Sequence, residues 1–345
     1  MVFYDARGNQ QVMNNKKVDY RQFYNYIDDL TNSPWLGPSR RWWPKFVFHF
    51  TNITNAIQIL ETGYLYPRSK VSPHGLMVND NASREVIENT DPTWFDYVRL
   101  YFRPRTPTQW HNEGFIPVQQ RFQQAHCPVP IFFLFDSKNI LSRNGVLFSG
   151  TSLARRDCQV YSDAESFRKL PFKYIYHDSS FTDIEKWLII GARQAEVIVP
   201  DKLDLTDLKY IWCRSEAEYN TLLYLLSPGA RNKWKNKIGA GKKGNLFYRR
   251  WVFVEKVDMN TQKVTFYFNA PQETCLPFPV RVVIVELSTK SIYSWEDSSY
   301  QLPENYKLEI SLRNLKFPNE YEITLYFDDQ LMYAGRFSDE VSILF

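Results

Sequence analysis

Metal-ligand and disulfide spacings are missing from this chain. Its four cysteines, Cys127, Cys158, Cys213 and Cys275, lie far apart, without a C-x-x-C and without paired histidines nearby. Neither a zinc site nor a disulfide framework is expected from that pattern. No apolar run approaches the roughly 20 residues of a membrane span, and MVFYDARGNQQ has no signal-peptide apolar segment. The expectation is a cytoplasmic protein with no metal and no membrane contact. Acids are absent from one stretch, Pro228 to Arg250, which carries eight basic residues and interleaves Trp234, Phe247 and Tyr248 just before Trp251. With Gly239, Gly241 and Gly244 it reads as a flexible segment, either a single-strand nucleic-acid binder or a solvated linker.

What is abundant is aromatic area and uneven charge. Aromatics make up 17% of 345 residues, enough to fill a large core and leave rings for ligands. Residues 1–250 carry 34 Lys/Arg against 24 Asp/Glu, and 251–345 carry 8 against 14. A polyanion, if bound, is expected to meet the N-terminal part.

Along the chain, residues 1–40 read as a lead-in containing a short amphipathic helix in YRQFYNYIDDL. KFVFHFTNITNAIQILETGYL reads as a strand, then a helix with Ile53, Ala56, Ile57 and Leu60 on one face, stopped by Gly63. VRLYFRPRTP reads as a strand followed by backbone that Pro104 and Pro107 hold extended around Arg105, presetting that arginine as an anion ligand. PIFFLFD reads as a buried strand, and GTSLARRDCQVYSDAESFRKL, with Arg155 and Arg156, as a long loop. In ARQAEVIVP a carboxylate interrupts an aliphatic strand closed by Pro200, and strand alternation puts Gln194 and Glu196 on one face. After a composition change near 250, short alternating runs with turn signals read as a β-sandwich, with Tyr321 placed to form a tyrosine corner.

His49 in FHFTNI, Arg105 in YFRPRTP and Glu196 in ARQAEVIV stand in one order, with ETGYL after the first. This resembles the DarT family of NAD-dependent DNA ADP-ribosyltransferase toxins over about residues 45–225. The resemblance implies an ADP-ribosyltransferase split-sheet core, placed over 41–250; it leaves the tail outside, and with the immunoglobulin-like sandwich that the alternating runs suggest over 251–345 the expected fold class is α+β. The resemblance also implies NAD as the ADP-ribose donor, with Glu196 orienting the ribose through its 2′-hydroxyl and stabilising an oxocarbenium-like species. His49, helped by Thr51, would hold the adenosine ribose, and Arg105 would contact the NAD phosphates or the acceptor base. Gln194, with Arg155 and Arg156 in the loop before it, would read the acceptor. TSLARRDC stands where the family has a D-G-N-A-type segment, so the acceptor is open: thymidine in single-stranded DNA first, then guanine, an RNA base or a protein side chain. An antitoxin or defence-system protein is the implied partner. The reading of another class is an inactive nucleic-acid-binding module that uses 228–250.

Overall fold

The computed structural model describes residues 15–71 and 88–339, plus the backbone of a two-residue strand pair, Phe3–Tyr4 with Gln10–Gln11. The rest of residues 1–14, part of the expected lead-in, lies outside the described residues. Helix α1 (Tyr20–Asn32) is amphipathic as its spacing requires, and it buries Phe23 and Ile27. Phe23 meets Phe148 and Phe167 edge-on or tilted, which seats the helix on the sheet. Strand β1 (Phe46–Asn52) leads into α2 (Ile53–Thr62). Asn52 caps the helix on the Thr54 amide, and Gly63 ends it in the left-handed conformation (φ +77°) that a residue without Cβ adopts at little cost.

After β2 (Tyr97–Tyr101) and the short helix α3 (Pro107–Asn112) come β3 (Pro130–Asp136), β4 (Leu147–Ser149) and β5 (Val160–Tyr161). Helix α4 (Lys186–Ala192) precedes β6 (Glu196–Pro200), and β7 (Leu208–Cys213), α5 (Glu216–Leu225), α6 (Pro228–Trp234) and β8 (Ile238–Ala240) follow. Eight strands form one sheet in the order β8-β7-β3-β1-β2-β6-β4-β5. The sheet is nearly divided at its centre. β1 pairs with β3 along its whole length and β2 with β6 over five residues, but β1 and β2 share the single registered pair Phe48 and Tyr101. Two four-stranded halves therefore meet at a seam held by little backbone hydrogen bonding.

The basic segment is not a flexible linker. Trp234 is buried and its indole N–H donates to the Leu60 carbonyl at 2.9 Å. Leu246 and Phe247 pack with Phe48, Phe132 and Leu134, and Trp251 is buried as well. Ile238–Ala240 forms a parallel edge with β7, where a Cβ on Gly239 would stand 2.4 Å from the Trp212 ring. Close approach of a ring, rather than mobility, is what that glycine serves. Three of the four aromatics expected to stack bases are spent on the core, leaving Tyr248.

The C-terminal part contains β9 (Val254–Met259), β10 (Lys263–Phe268), β11 (Phe278–Glu286), β12 (Ile292–Tyr300), β13 (Lys307–Ser311), β14 (Glu320–Phe327) and β15 (Gln330–Ser338). They make a three-stranded sheet, β9-β10-β13, and a four-stranded one, β12-β11-β14-β15. β12 was not expected from the sequence, because IYSWEDSSY is an exposed edge strand that buries only Tyr300. Tyr321 is buried, and its hydroxyl donates to the Asn260 carbonyl at 2.9 Å, far upstream in the turn between β9 and β10. It ties one sheet to the other instead of closing a local tyrosine corner.

The core is continuous across residue 250. Helix α5 packs on β9 and β15. The Ser215 hydroxyl donates to the Val254 carbonyl at 2.6 Å, and the Ala334 amide to the Thr221 hydroxyl at 3.2 Å. Phe115, fully buried, sits against Phe278 and Phe327 with ring centroids 4.7 and 5.2 Å away. Phe115→Ala is expected to cost about 3–5 kcal/mol. Urea unfolding should show a lower midpoint but still a single transition; two separated transitions would contradict the shared core.

Candidate active site

Glu196 opens β6 with 1% of its surface exposed, so its charge needs partners. Arg99, on β2, supplies them as a fork: Nε to Oε2 at 2.5 Å and Nη2 to Oε1 at 2.6 Å. The Leu153 amide donates to Oε1 at 3.0 Å. A carboxylate accepts about four hydrogen bonds, two at each oxygen. Among the described residues Oε1 is taken twice and Oε2 once, so the acceptor direction left over belongs to Oε2. Tyr101 is the direct cross-strand neighbour of Glu196. Burial first, and the Glu196 carboxylate second, push its phenol up to about 12, so it keeps its proton.

Arg99 also joins the two halves of the sheet. Its carbonyl lies 3.2 Å from His49 Nδ1, across the seam. A carbonyl only accepts, so Nδ1 carries the hydrogen and the Nε2 of the neutral ring presents a lone pair. Burial lowers His49 to about 4, which keeps it neutral at pH 7. Thr51 follows two residues along on the same face of β1; it is buried, and its hydroxyl accepts from Asn55 Nδ2 at 3.2 Å. Arg99 thus links Glu196, one strand beyond the seam, to His49 on β1.

Arg105 departs from its expected backbone. Thr106 is extended, as a residue before proline should be, but Arg105 itself is left-handed at φ +57°. Such a conformation costs a non-glycine residue about 1–3 kcal/mol and persists only where its surroundings hold it. Here the Arg105 amide donates to Gln109 Oε1 at 2.7 Å, and its carbonyl accepts the Tyr248 hydroxyl at 2.6 Å. The turned side chain lies over the Tyr248 ring at 4.7 Å and bonds Asp178 Oδ2 at 3.1 Å. Asp178 also takes buried Arg103 on Oδ1 at 2.8 Å, and Arg193 donates to the carbonyls of His177 and Ser179 at 2.9 and 3.1 Å. One short strap, residues 177–179, therefore holds arginines from both the YFRPR and ARQAE motifs.

Gln194 lies in the turn after α4, its amide bonded to the Gly191 carbonyl at 3.1 Å, so strand alternation does not set its direction. It does line a cleft of about 490 Å³ together with Thr108, Ser152, Ile190 and Arg155. Arg155 is exposed and paired with Asp157 at 2.8 Å. Arg156 is exposed and is not part of that cleft wall. Arg99 and Asp178 were not anticipated, and Tyr248, expected as a base-stacking ring, instead holds Arg105. Only Arg99 had a readable signal, a charge two residues before Tyr101 on the outward face of an alternating strand.

His126 is lowered like His49, to about 3, by burial first and by Arg121 second. Its Nε2 accepts the Ile116 amide at 3.1 Å, which requires the neutral ring. An unfolded histidine titrates near 6.5, so between the folded and unfolded values the unfolded chain binds more protons. Stability contributed by these rings is complete above about pH 6.5 and is lost as pH falls toward 4 and below. The melting temperature is expected to drop between pH 7 and pH 4.5, and to drop less in His49→Phe; equal drops would remove His49 from that acid sensitivity.

Among the described residues no cluster of His, Cys, Asp and Glu is built to hold a metal, and no helix is long and apolar enough to cross a membrane. A family model described as "ssDNA thymidine ADP-ribosyltransferase, DarT" matches residues 48–243, more than half of the chain. No curated protein matches. Solved structures with similarity include Thermus sp. 2.9 DarT in complex with ADP-ribosylated ssDNA, at 17% identity and a TM-score of 0.47, covering 59% of this chain and 97% of that one. The same protein with NAD+ aligns at 17% and 0.45, over 59% and 98%. Thermosipho africanus DarTG with ADP-ribose aligns at 13% and 0.44, over 63% and 53%. The family match spans the seam, the strap and the Glu196 strand alike, and the chain belongs to the DarT family of NAD-dependent single-stranded DNA ADP-ribosyltransferases.

Proposed function

We propose that this chain transfers ADP-ribose from NAD to a thymidine base of single-stranded DNA, in the cytoplasm, as a bacterial toxin or defence effector controlled by a partner protein. The observation that carries the catalytic assignment is the buried Glu196 carboxylate, fixed by Arg99 and the Leu153 amide with one acceptor direction left on Oε2. That direction suits the ribose 2′-hydroxyl of NAD. As nicotinamide departs, positive charge develops on the adjacent ribose carbon, and a fixed carboxylate stabilises it without having to reorganise. His49 Nε2, a lone pair, accepts from a hydroxyl of the adenosine ribose, with Thr51 beside it. Arg105, tethered by Asp178 and Tyr248, contacts the NAD phosphates or the acceptor base, where a fixed cation favours loss of the base proton. Gln194 and Arg155, on the cleft, read the acceptor, and Arg156 approaches the strand from outside it. Residues 41–250 form the transferase and 251–345 an immunoglobulin-like sandwich that serves partner docking.

Incubation of the protein with NAD and single-stranded oligonucleotides should add one ADP-ribose mass to a thymidine-containing DNA. Addition only to guanine, RNA or protein would move the acceptor, and salt-sensitive binding without nicotinamide release would leave only a binding module. Glu196→Ala is not fold-neutral, because it strands the Arg99 guanidinium at the seam. Glu196→Gln is the better variant, with transfer expected to fall at least about 100-fold. Near wild-type transfer in that variant would take Glu196 out of the reaction. Arg105→Ala should lower transfer as well; a loss confined to the KM for NAD would place Arg105 on the donor.

A further inference from the structure

The cleft that Gln194 lines has a feature that the transfer chemistry does not use. His111, at the end of α3, stacks on Phe122 with ring centroids 4.4 Å apart and planes 25° apart, and both rings border the cleft. They are not core residues: His111 is exposed and Phe122 is 48% exposed. A stacked aromatic pair is favourable by itself, and the exposed part of this one leaves ring surface on which a further flat group can lie.

The loop carrying Phe122 is also held more firmly than a surface loop requires. Gln123 and Gln124 are consecutive non-glycine residues in the left-handed region, at φ +47° and +62°. Strain of that kind is kept only where neighbours impose it, and ligand clamps are where it collects. The residues just before them are tied to connecting segments of the C-terminal part. Gln120 donates to the Thr274 carbonyl and accepts the Leu276 amide, both at 3.0 Å. Arg121 pairs with Asp328 at 2.9 Å and bonds the Ile116 carbonyl at 2.9 Å.

We propose that His111 and Phe122 form a rigid aromatic shelf on which a nucleobase of the single-stranded acceptor stacks, beside the base that Gln194 reads. The shelf makes the two residues specificity determinants for the acceptor strand, and the inference rests on the reading of Glu196 as the transfer centre. A single-stranded base is the occupant that fits, because it offers the flat face the rings need and polar edges for Gln194, Ser152 and Thr108 along the same cleft. Phe122 can be truncated without opening the core, since half of it already faces solvent.

The test is transfer kinetics against the concentration of a thymidine-containing single-stranded oligonucleotide at saturating NAD, for wild type, Phe122→Ala and Phe122→Trp. An oligonucleotide carrying 2-aminopurine next to the thymidine reports stacking through its fluorescence. In Phe122→Ala the KM for the oligonucleotide is expected to rise about 5- to 100-fold with a smaller change in kcat, and the fluorescence quenching seen with wild type should be lost. Phe122→Trp keeps a ring and should restore both. An unchanged KM and unchanged quenching in Phe122→Ala, with wild type active, would overturn the shelf while leaving the transfer reading intact. Wild-type protein that modifies no oligonucleotide would overturn both.

Discussion

A carboxylate at the start of a buried strand is tolerable only if it is paired, and the bidentate bond between Arg99 and Glu196 is what makes the centre of this sheet possible. It joins β2 to β6 through side chains as well as through the backbone ladder. The carbonyl of the same arginine then receives His49 from the other half of the sheet. One residue thus ties together two sequence motifs about 150 positions apart at the point where β1 and β2 nearly cease to pair. Breaking the fork leaves a desolvated charge on one side and an untethered strand edge on the other.

Around that pair the cations are arranged by a strap rather than by regular structure. Asp178 divides its two oxygens between Arg103 and Arg105, and the flanking carbonyls of His177 and Ser179 take Arg193. Arg105 accepts a left-handed backbone because Gln109 and Tyr248 hold its amide and carbonyl from opposite sides. An arginine so constrained loses little freedom when it meets an anion. The conformational cost has been met by the fold before any ligand arrives.

Much of this was legible in the sequence, and what was not has identifiable causes. Glu196 stood out because a charge in an aliphatic run violates strand composition, and Gly63 announced the end of α2 through the conformation it alone takes cheaply. Arg99 obeyed the same alternation as Glu196 but looked like an ordinary outward-facing charge, since its partner lies on another strand. Asp178 and Tyr248 act only through contacts some 70 and 140 residues away from Arg105, and no local pattern encodes those. The stretch from 228 to 250 looked like a flexible single-strand binder or a solvated linker because composition counts its lysines and glycines. Folding depends instead on where Trp234, Phe247 and Trp251 go, and they go inward. β12 escaped notice for the opposite reason, as a polar edge strand with almost nothing to bury.

The loop from Phe115 to Ala125 belongs to two structures at once. One side closes the cleft beside Gln194, and the other is bonded to Thr274, Leu276 and Asp328 and wedged between Phe278 and Phe327. Packed interiors shift between discrete arrangements more readily than they deform smoothly. A displacement in the C-terminal part would therefore reach the cleft beside Gln194 through this loop, by a path separate from the Arg99–Glu196 fork.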